Sequence, residues 1–222
     1  MSLLRSIAIG AVLSTVVVAN ASATVLFDNS TSLPINQYEP ASATTNGALA
    51  ESFQADAAAS STLTSVSLDL KKGAGTSTGS IIVTLNSDVS GKPGGSIATL
   101  GTIYDTQLSG TAAFIGLTGL NVALTANAEY FIVLTDAVSG QNTKAQWATA
   151  NNGAGTGTAN QFGLYSSSSA SQFDTMTVNP YLMTVTATDA GSAAPEPASI
   201  ALLGMGLLGL GCARSRRGAR KA

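Results

Sequence analysis

Through the middle of the chain, apolar and polar residues alternate in short runs, and a period of two predicts β-strands. In residues 62–70 the alternation puts Val66, Leu68 and Leu70 on one face. Residues 80–86 repeat it with Ile81, Val83 and Leu85, and the glycine-rich stretch 71–79 between them predicts a turn. A second turn at 90–95 (Ser-Gly-Lys-Pro-Gly-Gly) precedes a strand at 97–104. Two shorter strands are expected at 113–117 and 121–124. Residues 129–135 (Glu-Tyr-Phe-Ile-Val-Leu-Thr) are almost continuously apolar, which predicts a central strand buried on both faces. Further strands are expected at 144–149, around Trp147, and at 181–188. No stretch of the middle shows a helical period. Strands at this spacing predict an all-β fold, a two-sheet β-sandwich of jelly-roll-like type. Residues 151–158 read as a mobile loop and 166–171, nearly all serine, as an exposed one.

The two ends follow a different pattern. Arg5 precedes a mainly apolar, uncharged centre at 7–18, and small residues follow as Ala19-Asn20-Ala21 and Ala21-Ser22-Ala23. That sequence predicts a signal peptide over 1–23, removed by signal peptidase after Ala23, where a strand-like run begins. At the other end, Pro195-Glu196-Pro197 is followed by sixteen uncharged residues, 198–213, and then by Arg214, Arg216 and Arg217. A helix of that length spans about 24 Å, short against a hydrocarbon core of roughly 30 Å. It is expected to form a single transmembrane helix over 198–213 with flanking adjustment of the bilayer. The basic cluster holds the tail in the cytoplasm and leaves the preceding domain outside. Gly204, Gly206, Gly209 and Gly211 make the segment a poor permanent anchor and a reasonable transient one. The expected organisation is therefore a signal peptide at 1–23, a β-sandwich at 24–190 and a sorting tail at 191–222.

The three-part ending resembles the PEP-CTERM sorting signal of Gram-negative bacteria. That resemblance implies recognition by an exosortase, with a transient stay in the inner membrane and a final place at the cell surface or in the extracellular matrix. It also implies association with exopolysaccharide and biofilm. A plain single-span anchor is the simpler alternative. Cys212, at the inner edge of the segment, reads as incidental rather than as an acylation site.

A second resemblance lies in the middle. Ala50-Glu51-Ser52-Phe53-Gln54, then 63–68, Val83-Thr84-Leu85, 90–94, Leu124-Thr125-Ala126, 129–134 and Trp147 occur in an order similar to the choice-of-anchor class of bacterial surface domains, type R. The class implies a surface role and supplies no site residues.

Composition narrows the chemistry. The chain has one cysteine and no histidine, so the middle has no thiol or imidazole for a nucleophile, a disulfide or a common zinc site. Residues 24–190 hold four lysines against eleven acids, a net charge of −7. An acidic domain of this kind is not expected to bind nucleic acid. Calcium, which takes oxygen ligands alone, is the one cofactor left open, with Asp88 and Asp105 as loop candidates. No catalytic, cofactor or metal residues are assigned, and no enzyme activity is expected. The leading expectation is a non-enzymatic surface or matrix protein. A carbohydrate-binding module is the alternative, with Trp147 as its speculative sugar contact and Tyr104, Tyr130 and Tyr165 as further aromatics, although a lone tryptophan in a small sandwich is more often core. The third reading is a polysaccharide hydrolase or lyase drawing a carboxylate pair from Glu51, Asp105, Glu129 and Asp136. The Asn29-Ser30-Thr31 match to the N-glycan acceptor pattern reads as chance.

Overall fold

A computed structural model describes residues 23–32, 34–40, 48–55, 61–75, 78–137, 143–150, 155–157, 164–166, 174–177 and 179–189. Residues 1–22 of the expected signal peptide, the transmembrane segment at 198–213, the Pro-Glu-Pro motif and the arginine cluster lie outside the described residues, as does Cys212. Among the described residues no helix is long and apolar enough to cross a membrane. One compact unit runs from Ala21 to Ser192, and its described residues are all β apart from a 3-10 turn at Asp105–Gln107.

The strands are β1 (Ala23–Asp28), β2 (Pro34–Pro40), β3 (Leu49–Gln54), β4 (Ser61–Lys72), β5 (Ser80–Asp88), β6 (Pro93–Tyr104), β7 (Ala113–Leu124), β8 (Glu129–Asp136), β9 (Ala145–Ala150), β10 (Leu164–Ser166), β11 (Asp174–Thr177) and β12 (Met183–Asp189). They form two six-stranded sheets. One has the order β1-β12-β4-β9-β2, with β7 also pairing β4; the other has the order β11-β10-β3-β8-β5-β6. All the pairings are antiparallel. The chain crosses repeatedly between sheets, as a jelly-roll-like sandwich requires.

Burial follows the alternation. Leu63, Val66, Leu68 and Leu70 from β4, Ile81, Val83 and Leu85 from β5, and Ile132 and Leu134 from β8 share one core between the sheets. Leu63 and Val66 are three residues apart, so strict alternation would put them on opposite faces. Thr64 is an extra residue in the pairing with β12, and this bulge restores the phase. Its hydroxyl donates to the Thr186 carbonyl oxygen at 3.1 Å. Opposite the same point, β7 passes residues 119–121 between Thr118, which faces Ser65, and Val122, which faces Leu63. Gly119 supplies the positive φ of 72° that the distortion needs. The two short strands expected at 113–117 and 121–124 are thus one strand with a bulge.

β8 is buried on both faces, as its apolar run predicts. Ile132 and Leu134 belong to the main core, while Phe131 and Val133 pack with Ala50 on the opposite face of their sheet. Four strands, β2, β3, β10 and β11, were not expected from the pattern. The turn at 90–95 is narrower than its glycines imply. Ser90 and Gly91, with φ of 57° and 77°, make the hairpin, and β6 already begins at Pro93.

Within the expected loop at 151–158, residues 155–157 are docked rather than loose. Thr156 exchanges two backbone hydrogen bonds with Asp28, at 2.9 and 2.8 Å. A Cβ at Gly155 would overlap the Asp28 carbonyl oxygen, and one at Gly157 the Leu26 carbonyl oxygen. Gly157 also has a φ of +94°. The rest of 151–158 and residues 167–171 lie outside the described residues. Gly157→Ala is expected to destabilise the domain by about 1–3 kcal/mol, because it adds both backbone strain and a steric overlap. Thermal unfolding checks this; an unchanged midpoint would show that the docked segment contributes nothing.

Candidate functional site

The chemistry-bearing residues of the β domain concentrate where β4 changes partner. β12 pairs β4 from Ser61 to Leu68, and β9 takes over at Leu70. Between them Leu182 bridges the gap: its carbonyl accepts from the Asp69 amide at 3.1 Å, and its amide donates to the Ala148 carbonyl oxygen at 2.9 Å. A fork of this kind leaves backbone groups that ladder pairing does not satisfy, and buried side chains fill them. Trp147 Nε1 donates to the Leu182 carbonyl oxygen at 2.9 Å. Asn29 Nδ2 donates to the Tyr181 carbonyl oxygen, and Asn29 Oδ1 accepts from the Met183 amide, both at 2.8 Å. Glu51 Oε2 accepts from the Tyr181 amide at 2.8 Å. Trp147 and Tyr181 stack with ring centroids 4.3 Å apart and planes 9° from parallel.

This placement corrects the sugar-contact expectation for Trp147. Its ring is 0% exposed, with one face against Tyr181 and its only polar group bonded to the backbone, so it offers no stacking platform to a ligand. Tyr130 is buried as well. It stacks on Phe53 at 5.8 Å, and its hydroxyl accepts from the Thr125 amide at 2.8 Å, five residues upstream, much as the tyrosine corner of other sandwiches does. Tyr104 is the exception, 53% exposed on β6. The side chain of Tyr165 lies outside the described residues. Asn29 is fully buried and bonded at both ends of its amide, which leaves it no role as a glycan acceptor.

Of the four candidate acids, Glu51 and Glu129 stand apart, while Asp105 and Asp136 share one hydrogen-bonding partner. Glu51 faces the core from the middle of β3, opposite Ile132. Burial pushes its pKa well above the ordinary 4.5, against hydrogen bonds from the Tyr181 and Ser52 amides that pull it down. Its Oε1 has no hydrogen-bond partner among the described residues. Glu129 starts β8 and, by register, points to the other face of the same sheet. Its pKa is raised by burial and by the charge of Asp88, against a hydrogen bond from Ser52. Asp136 ends β8, seven residues on, or roughly 24 Å along an extended strand. Asp105 is fully buried in the 3-10 turn, where it accepts from Thr143 Oγ1 at 2.6 Å and from the Lys144 amide at 3.0 Å. Asp136 Oδ2 also accepts from the Thr143 amide at 3.5 Å, so Asp105 and Asp136 meet at Thr143, with Asp105 itself fully buried, while Glu51 and Glu129 stand on opposite faces of their sheet. Among the described residues no three or more histidine, cysteine, aspartate or glutamate side chains cluster to hold a metal. Sequence reasoning named Glu51 and Trp147 but missed Asn29 and Tyr181, whose partners lie 152 and 130 residues away. No local signal marks such a contact.

The remaining chemistry is at the C-terminus, where residues 193–217 match the PEP-CTERM protein-sorting motif. The chain carries a PEP-CTERM sorting signal. The PEP-CTERM match includes Pro195, Glu196, Pro197, the apolar stretch and Arg214, Arg216 and Arg217. It implies an exported protein that transits the membrane, is processed by an exosortase and is sorted to the cell surface. No curated protein matches the chain. Two solved structures are similar over part of it. One comprises the cysteine protease and lectin-like domains of Cwp84, a surface layer associated protein of Clostridium difficile; it shares 14% identity at a TM-score of 0.48 over 65% of this chain and 32% of that one. The other is the clostridial cysteine protease Cwp84 after propeptide cleavage, with 14% identity and a TM-score of 0.48 over 66% and 37%. The chain spans about a third of the length of these structures.

Proposed function

We propose that the protein is a non-enzymatic component of the cell surface or extracellular matrix of a Gram-negative bacterium, associated with exopolysaccharide in a biofilm. The observation that carries the reading is the sorting motif at 193–217 placed directly behind a β domain. The arrangement of that domain supports it. Buried polar side chains close a fork between its strands, Glu51 and Glu129 lie on opposite faces of their sheet, and the Asp105 carboxylate that meets Asp136 at Thr143 is fully buried. Its acidic charge is compatible with a hydrated extracellular layer and opposes adhesion to anionic lipid or nucleic acid.

In the proposed sequence of events, the signal peptide is removed, the short apolar tail holds the β domain outside the inner membrane, and an exosortase then removes the tail. The mature protein in the native host is therefore expected to begin at Thr24 and to lack residues 214–222. Intact-mass measurement of surface-extracted protein checks both ends. In a host lacking its exosortase the basic end should be retained. Recovery of a full-length C-terminus from the normal host would overturn the reading.

A further inference from the structure

The two sheets end on the same side of the sandwich in unusually long edge strands. β6 and β7 have twelve residues each, β6 pairs only β5, and β7 pairs only β4. Gly101 lets them approach: a Cβ there would lie 2.9 Å from Leu117 Cδ2. An edge strand exposes a row of free backbone groups, and natural sequences usually blunt it with charge, proline or bulges. β6 is blunted. Leu100 and Ile97 are extra residues in its pairing with β5, and it opens on Pro93. β7 is not blunted along its first half. Ala113 to Thr118 pair one-to-one with Leu70 to Ser65 without interruption, and the segment has no proline and no charge.

The surroundings are equally neutral. Across residues 93–124 the one charged residue is Asp105, which is fully buried. Three of the five large apolar side chains exposed among the described residues are here: Ile97 at 48%, Tyr104 at 53% and Phe114 at 42%. Phe114 lies three residues from Leu117, which faces Gly101 across the core, so Phe114 points to the outer face of the β7 sheet beside the unblunted segment, while Tyr104 occupies the outer face of the other sheet. Each copy of this domain carries a net −7, so two copies repel overall and approach most readily through a surface without charge. A basic partner would be drawn to the domain's acids instead. The surface thus matches another surface with no charge, and a second copy supplies one. Antiparallel pairing about a twofold axis is self-complementary, as an isologous contact requires.

We propose that β7 is a self-association edge: residues 113–117 pair antiparallel with the same residues of a second copy, centred on Ile115, and Phe114 of each protomer packs beside the new ladder on the outer face of the sheet. The sheet containing β4 then runs continuously through the dimer, while the bulged β6 edges face each other without pairing. Because the contact is neutral and the domains repel, screening strengthens it.

Light scattering of the full chain in detergent tests this at low and high salt. The expected result is a dimer whose fraction rises with salt. Phe114→Lys should give monomers, Phe114→Glu likewise, and an equimolar mixture of the two should recover the dimer. Val25→Lys, at an exposed position on β1, should leave it unchanged. Unfolding midpoints for each variant separate loss of pairing from loss of fold. A monomeric wild type, a dimer indifferent to charge at 114, or failure of the mixture to recover would each overturn the proposal. Association held by the apolar tail gives the second of these outcomes.

Discussion

Trp147→Ala is expected to remove about 4 kcal/mol of stability, the upper range for truncation of a large buried aromatic. Three losses coincide at this residue. The indole is 0% exposed, so its removal leaves a cavity in a core that packs Trp147 beside Tyr181 and Phe27. The stack with Tyr181 at 4.3 Å disappears with it. The Leu182 carbonyl oxygen loses its indole donor in a place where water does not replace it. Domains of this size hold roughly 5–15 kcal/mol in total, so the variant should sit near the edge of unfolding at growth temperature. Urea titration followed by circular dichroism measures the change. Trp147→Phe should lose less, because it keeps a ring against Tyr181 while giving up the hydrogen bond. A loss below about 1 kcal/mol for the alanine variant would mean that the fork is held by its strands and not by its side chains. The wild type has a single tryptophan, so its fluorescence follows the same transition from inside the fork.

The legible parts of this fold were those that depend on neighbours in sequence. The alternation in 62–70 and 80–86 placed Val66, Leu68, Leu70, Ile81, Val83 and Leu85 in the core. The apolar run at 129–135 announced a strand covered on both sides. What failed had long-range causes. β7 read as two strands because Gly119 and its neighbours look like a turn, and only the matching bulge at Thr64 in β4 turns them into one irregular strand. β10 is three residues long and is held by pairing with Ala50 and Leu49, more than a hundred positions earlier. Trp147 could be weighed between core and surface but not assigned, since Tyr181 is its stacking partner through folding alone. The sorting signal was the reverse case. Its three parts are contiguous, so the order of motif, apolar stretch and arginines was readable directly and matches over 193–217.

The stability of the domain is expected to fall as pH rises above the ordinary glutamate range, and Glu51→Gln should abolish a large part of that fall. Glu51 is buried on the core side of β3, so the native state favours its neutral form, while the unfolded chain ionises near 4.5. Below that value both states hold the proton and the contribution is fully present. Above it the unfolded state alone releases the proton, and stability drops by about 1.4 kcal/mol per pH unit until the folded pKa is passed. Asp69 and Glu129, also raised by burial, contribute in the same direction. Asp28 acts oppositely: despite some burial, hydrogen bonds from Ser30 and Thr184 lower its pKa, so its contribution is lost as pH falls. Comparing wild type with Glu51→Gln at each pH cancels these common terms. The amide keeps the acceptor for the Tyr181 amide and replaces the partnerless Oε1 with a neutral group. The two proteins should therefore be close in stability at pH 4 and diverge steadily above it, with the variant more stable. Parallel urea midpoints from pH 4 to pH 9 would show instead that Glu51 is already ionised in the folded domain. Glu51→Leu distinguishes the remaining roles. It removes the titration but also the acceptor of the Tyr181 amide, so it should be insensitive to pH at this site and yet less stable than the glutamine variant throughout.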